Sequence, residues 1–277
     1  MGARVNMPLQ ARRAGATKKA PKRAKTASIN RRAVSAVEWQ ARVDLAACYR
    51  LIAHYEMDDL FATHISARVP GAEEHFLINQ LGMLFSQVTA SSLVKVDIKG
   101  NVLAPKGALI NPAGYVIHSA VHAARHDAKC VIHTHTVAGM AVASLKEGLL
   151  PLNQKSTRFH NRVAYHDFEG KAQDVDERAR LVQDLGEHNA LILRNHGLLT
   201  CGPTVVQAFK KMFALEKSCK TQLAVLATGR SLNTLSDNLL EFTAGQFDRD
   251  DVPSDTRPSG WDSLLAMLDR IDPSYQT

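Results

Sequence analysis

The residues best suited to chemistry in this 277-residue chain are histidines gathered in a few short stretches. The sharpest stretch is Val131-Ile132-His133-Thr134-His135. Side chains two apart in a strand point to the same face, so both imidazoles can converge on one point. Imidazole is the commonest protein ligand for borderline divalent metals. A His-x-His pair is a weak motif alone, and two polar residues on the solvated face of an edge strand would read the same way. A third ligand is suggested by Leu193-Arg194-Asn195-His196-Gly197-Leu198-Leu199, where an apolar strand stops at a polar triplet closed by glycine. Gly197 fits a sharp backbone turn or a close approach, and strand-end loops commonly carry catalytic side chains. By itself, His196 reads equally well as a turn residue bonded to backbone. In a third group, His118, His122 and His126 stand four apart and share one stripe of a helix. No acid lies between them as in HExxH. Ala113, Ile117, Ala120, Val121 and Ala124 form the apolar side, so His122 and His126 are expected as solvated residues at its polar margin. His118 falls nearer the core.

These side chains need elements to hold them. Asn111-Pro112 opens a helix running to about His126, with proline favourable at the first helical position. A strand Lys129–Thr134 follows, then a small-residue helix Val137–Leu145. A strand Ala190–Arg194 leads into Asn195-His196-Gly197, and Thr204 with Gln207 has capping-box spacing before a helix to about Leu226. Upstream, apolar residues from Val37 to Ile52 recur at three- and four-residue steps, as in a helix. Short strands are expected over Ala62–Arg68, Glu74–Asn79 and Leu93–Ile98, the last ending in a hairpin-type turn at Lys99-Gly100-Asn101. Strands mixed with helices imply a central sheet flanked by helices.

Composition sets the outer bounds. Hydrophobic residues make up 45% of the chain, enough for a sizeable core. No apolar run reaches the ~18–20 residues of a membrane span, and no apolar stretch of secretory type follows the basic N-terminus. Cys48, Cys130, Cys201 and Cys219 are widely spaced, and read as reduced thiols of a cytoplasmic protein. The net charge of +7 is unevenly spread: residues 1–37 hold ten Lys/Arg and no acid, and the remainder holds 24 basic against 27 acidic side chains. Three regions are therefore expected. Residues 1–34 form a disordered basic tail, suited at most to weak binding of nucleic acid or acidic surfaces. Residues 35–234 form the folded domain. Residues 235–277 form a loose C-terminal extension with a short amphipathic piece around Trp261–Ile271.

Taken in order, Asp59–Arg68, Asn111–His118, Cys130–Thr136, Tyr165-His166-Asp167 and Arg194–Leu199 resemble the class II aldolase/adducin family, over roughly Val37 to Gly229. The resemblance implies an α/β fold, a three-layer α/β/α domain around a mostly antiparallel sheet. It implies one divalent metal, zinc first and Fe(II) or Mn as alternatives, held by His133, His135 and His196. It also implies a small-molecule substrate and a homo-oligomer, a tetramer being favoured. In the aldolases of the family the metal polarises a carbonyl as a Lewis acid.

The departures from the family pattern matter as much. The sugar-phosphate aldolases carry a proton-transferring glutamate four residues before the helix histidine, and that position is Gly114. The paired serines that bind phosphate correspond to Pro112 and Ala113. The asparagine of the early Gly-Asn-(Ile/Val)-Ser motif corresponds to His64, and the Thr-Pro-Ser-Gly segment to Asn79-Gln80-Leu81-Gly82. The expected acid/base groups are therefore His118, then His64, with Tyr165 as a third. The first functional expectation is a lyase or isomerase acting on a non-phosphorylated hydroxy- or keto-acid. A second is a mononuclear non-haem iron oxygenase on the same scaffold, resembling the aldolase-like oxygenases. A third is a non-catalytic, adducin-like binding module.

Overall fold

The computed structural model describes residues 26–170, 177–251 and 259–277. Ser35 starts α1 (Ala36–His54): its hydroxyl accepts the Glu38 N–H, satisfying one of the orphan donors of the first turn. The periodic apolar residues Leu45, Cys48, Tyr49 and Ile52 then turn inward. Strand β1 (His64–Val69) runs through a turn at Gly71 into β2 (Ala72–Ile78), and β3 (Val94–Asp97) turns at Gly100 into β4 (Val102–Ala104). Next come α2 (Pro112–Ala124), β5 (Cys130–Thr134), α3 (Val137–Ala143), the single turn α4 (Gln154–Thr157), β6 (Ala164–His166) and α5 (Glu177–Leu185). Strands β7 (Ala190–Leu193) and β8 (Gly197–Gly202) lead into α6 (Val205–Leu226). Thr204 caps α6 by accepting the Gln207 N–H. Two further helices follow, α7 (Asp237–Asp251) and α8 (Trp261–Ile271).

The strands form one sheet in the order β4-β3-β2-β1-β5-β8-β7-β6. Its pairs are antiparallel except β6 with β7. Ile65, Ala67, Cys130, Ile132 and Leu198 face α1, α3 and α6 in the larger core. Val131, Leu191, Leu193, Leu199 and Cys201 face the other way, against Ile117 and Val121 of α2 and Leu181 and Leu185 of α5. The three-layer α/β/α arrangement around a mostly antiparallel sheet is thus observed. The histidine strand β5 lies in the interior of the sheet, between β1 and β8. A solvated edge strand is therefore not the reason for its two histidines.

The chain ends are held more firmly than their composition suggests. Most of the basic tail lies outside the described residues, but at its end Gln80 accepts from the Ala27 N–H and donates to the Ala27 carbonyl. The polar stretch after 235 forms α7, with Leu240 and Ala244 buried four residues apart. Trp261, Leu268 and Tyr275 are buried against the larger core, Trp261 packing on Phe209 and Asp272 pairing with Arg50. The expected loose extension is therefore docked, because a few well-spaced apolar side chains suffice once a complementary surface exists. The four cysteines are buried and free, as the sequence implied. No helix among the described residues is long and apolar enough to cross a membrane.

One contact ties the first helix to the sheet. The fully buried Tyr49 hydroxyl accepts from the Ile65 N–H (2.9 Å) and the Asn79 N–H (3.1 Å), and shares its hydrogen between the Ile65 carbonyl and Asn79 Oδ1. Tyr49→Phe leaves two buried N–H groups unsatisfied, at about 1–3 kcal/mol each. The expected loss is about 2–6 kcal/mol, read as a lower denaturant midpoint at unchanged m value. An unchanged midpoint would rule out this tie as a stabilising element.

Candidate metal centre

Three distant segments bring His133, His135 and His196 together. In the register of the sheet, His133 of β5 lies opposite Leu199 of β8, and Leu193 of β7 lies opposite Gly197. The chain between β7 and β8 must therefore reverse within Arg194–His196. Asn195 takes a left-handed conformation (φ 55°), which asparagine tolerates better than most residues. Its N–H donates to the Ala143 carbonyl, and the His196 N–H donates to the Leu193 carbonyl, both at 3.0 Å. A Cβ on Gly197 would lie 2.4 Å from the Thr134 carbonyl oxygen and 3.0 Å from His135 Cδ2. Only glycine permits that approach, which sets His196 beside the strand histidines. The ring centroids are 4.6 Å apart for His133–His135 and 4.8 Å for each of the other two pairs. One nitrogen from each ring lies within 4.8 Å of the others.

Hydrogen bonds decide which nitrogens are free. His133 Nδ1 lies 3.0 Å from the Leu198 carbonyl oxygen, which can only accept, so Nδ1 carries the hydrogen. His135 Nδ1 lies 3.2 Å from Asp59 Oδ2, and the same logic applies to a carboxylate. With the hydrogen of each ring held at Nδ1, the two Nε2 atoms turn inward, 2.8 Å apart. Two facing lone pairs repel unless a cation lies between them. Burial pushes His133 well below its ordinary pKa and His196 down to about 4, with the neighbouring histidines adding to both shifts. His133 and His196 are therefore poor homes for a proton near neutrality, and the three-imidazole donor set suits a divalent metal. Outer hydrogen bonds of this kind commonly fix metal-binding tautomers. Neither Asp59 nor the Leu198 carbonyl was singled out from the sequence. The adjacent acids Asp58-Asp59 before β1 were the available signal for the first, and backbone acceptors leave none.

A second set of histidines lies beside this centre. On the face of β1 turned toward α2, His64, Ser66 and Arg68 are all buried. His64 lies opposite His133 in the sheet, with rings stacked at 6.2 Å, and meets His118 edge-on at 5.8 Å. Neither ring nitrogen of His64 has a hydrogen-bond partner among the described residues. A Cβ on Gly114 would lie 2.5 Å from His64 Cγ, so the His64 ring occupies the space a side chain at 114 would need. Ser66 Oγ lies 2.6 Å from His118 Nδ1 and 2.8 Å from His122 Nε2. His122 is fully buried, not solvated as its stripe position suggested. The polar margin of α2 faces the polar side of β1 instead of water. His126 is exposed, as expected. Tyr165 is anchored elsewhere: its hydroxyl accepts the Leu149 N–H, its ring packs on Gly148, and Arg194 lies over it at 4.6 Å.

Burial, reinforced by the Arg68 charge, lowers His122 to about 3, and its Nδ1 donates to the Ala128 carbonyl. The unfolded chain takes up a proton there near 6.5, so below that pH it binds more protons than the folded state. Stability therefore falls as pH drops from about 6.5 toward about 3, by up to ~1.4 kcal/mol per pH unit from this residue. His122→Gln should make the slope between about pH 6 and about pH 4 shallower by close to one proton, as measured by urea unfolding. Equal slopes would mean that His122 is charged in the folded protein.

Known proteins resemble this chain in sequence and in fold. The family model for the Class II Aldolase and Adducin N-terminal domain matches residues 43–223. A Pseudomonas aeruginosa protein, provisionally named a class 2 aldolase, is 50% identical over 250 residues, covering 88% of this chain and 94% of that protein. Alpha-adducin of Rattus norvegicus is 41% identical over 210 residues, which cover 74% of this chain but 28% of adducin. The crystal structure of an aldolase II superfamily protein from Pseudomonas syringae superposes with a TM-score of 0.83 at 47% identity, covering 90% of this chain and all of that one. An L-fuculose 1-phosphate aldolase from Glaciozyma antarctica gives 0.76 at 26% identity, over 87% of this chain and 93% of that one.

Proposed function

The chain belongs to the class II aldolase and adducin family, and from that premise we propose that it is a metal-dependent enzyme of lyase or isomerase type acting on a non-phosphorylated hydroxy- or keto-acid. The observation that carries this reading is the meeting of His133 Nε2 and His135 Nε2 at 2.8 Å while both Nδ1 hydrogens are committed elsewhere. His133, His135 and His196 would hold the ion, zinc in the first instance. A divalent metal there supplies Lewis acidity toward a carbonyl or carboxylate oxygen. Three neutral imidazoles leave its charge uncompensated, which favours an anionic substrate.

The surrounding residues support a substrate without phosphate. Asn79 is tied to Tyr49, and the Gln80 amide is tied to Ala27 and to the Ser92 carbonyl, so both polar groups are committed to the scaffold. Gly114 offers no carboxylate. His64 is the acid/base group we assign to proton transfer, since its ring meets both His133 and His118. His118 is fully buried behind it and acts through it. The exposed apolar side chains Leu60, Phe61, Val137 and Met140 flank the loops of Asp59 and His135 and suit an oligomer contact there.

The likeness to alpha-adducin favours a second reading, a non-catalytic binding module. Metal analysis of the full chain, purified without chelator, separates the two. The enzyme reading expects about one divalent ion per chain, lost in His133→Ala, His135→Ala and His196→Ala alike and kept in His64→Ala. A protein that retains no stoichiometric ion would leave the binding module. Turnover of hydroxy- and keto-acids should then proceed without oxygen; strict oxygen dependence with bound iron would point to the oxygenase instead.

The pairing of His64 with Gly114 has its own test. Gly114→Ala forces a Cβ against the His64 ring and should cost about 1–3 kcal/mol, as overpacking does. In a His64→Ala background most of that cost should vanish, giving a coupling energy of similar size in a double-mutant cycle. Additive effects would show that the ring can move aside freely.

A further inference from the structure

Three groups in the core read as one chain of hydrogen bonds whose direction can be worked out atom by atom. It starts at the Ala128 carbonyl, which can only accept, 3.2 Å from His122 Nδ1. The hydrogen of the neutral ring is therefore on Nδ1; the opposite tautomer would set a lone pair against the carbonyl oxygen. His122 Nε2 is then an acceptor, and the Ser66 hydroxyl 2.8 Å away must donate to it. With its single hydrogen committed, Ser66 Oγ can only accept from His118 Nδ1, at 2.6 Å. His118 thus carries its hydrogen on Nδ1, and its Nε2 is a bare acceptor. That atom is buried and has no partner among the described residues. Burial holds both rings neutral, His122 at about 3 and His118 well below the ordinary histidine value. Across from His118 is the His64 ring, whose own two nitrogens also have no partner among the described residues.

We propose that Ser66 and His122 are positioning residues: they fix the direction of a buried relay that leaves His118 Nε2 a bare acceptor, with which a His64 N–H pairs once the His64 ring, unpartnered at both nitrogens as it stands, turns toward it. The other nitrogen of His64 then keeps its lone pair for the three-histidine centre, the form a proton-accepting group requires. Four residues from β1 and α2 in this way set one hydrogen position beside the candidate metal site. The role given to His64 rests on the function proposed above; the tautomers of His118 and His122 do not.

The test is histidine tautomer assignment by nitrogen-15 NMR on the full chain, recorded once with zinc added and once with chelator. Wild type should show His118 and His122 both protonated at Nδ1 and bare at Nε2 in either sample. His122→Leu removes the acceptor for Ser66, whose hydroxyl turns to His118 Nδ1. The His118 hydrogen should then move to Nε2, and that of His64 to its opposite nitrogen. His122→Gln, which restores an acceptor oxygen at the end of the side chain, should keep the wild-type His118 tautomer. A role in packing alone predicts no such inversion and no such rescue. A wild-type His118 protonated at Nε2 overturns the relay, even if no variant folds. Unchanged tautomers in a folded His122→Leu protein overturn it too. Inversion at His118 with an unchanged His64 overturns the coupling to His64. Failure to bind zinc, with the relay intact, counts against the proposed function and not against this inference.

Discussion

A buried neutral imidazole has one hydrogen to give and one lone pair to offer, and the arrangement of this protein's core depends on where those hydrogens go. Leaving either group without a partner away from water is costly. The chain commits the hydrogens of His133, His135 and His122 to Leu198, Asp59 and Ala128. Once they are committed, the lone pairs have fixed directions. Two of them meet at the metal-type centre, and others are handed along through Ser66. The same accounting thus yields both a place for a cation and an ordered group of histidines next to it.

The sheet makes this possible by dividing labour between its two faces. Along β1, Ile65, Ala67 and Val69 enter the larger apolar core, while His64, Ser66 and Arg68 lie on the side of α2. Antiparallel pairing of β1 with β5 sets His64 opposite His133, and pairing of β5 with β8 brings the turn that carries His196 alongside. Polar groups can occupy a layer boundary at this density because α2 supplies their partners. Without His118 and His122, the hydroxyl of Ser66 would be a buried liability.

Two glycines shape this site in different ways. Gly197 is needed for assembly, since a side chain there would meet the Thr134 carbonyl. Gly114 bears on the chemistry. In the sugar-phosphate aldolases the corresponding position carries a glutamate, and here the His64 ring fills its space. The scaffold is retained while a glycine and an imidazole ring occupy this position, a pattern consistent with one fold hosting several reactions. It also explains why likeness to an L-fuculose 1-phosphate aldolase supports the architecture of this chain more strongly than it supports that substrate.

Much of the fold was legible in the residues alone. The helix opened by Pro112, the Thr204 cap and the short helix at Trp261–Ile271 follow from period and turn chemistry, whereas the three-layer class and the set His133, His135 and His196 were what the family resemblance implied. The former are local properties, or patterns repeated along the chain, and neighbouring residues carry them. What the sequence could not give were contacts between elements far apart in the chain. The burial of His122, the support of His135 by Asp59, the anchoring of Tyr165 by Leu149 and Arg194 and the docking of α7 and α8 belong to that class. Each depends on what lies across a packed interface, and a helix stripe reads as solvated until the strand facing it is known. The sequence determined which groups were available for chemistry; the tertiary structure decided which of their hydrogens and lone pairs face one another, because only packing selects a partner for a buried polar atom.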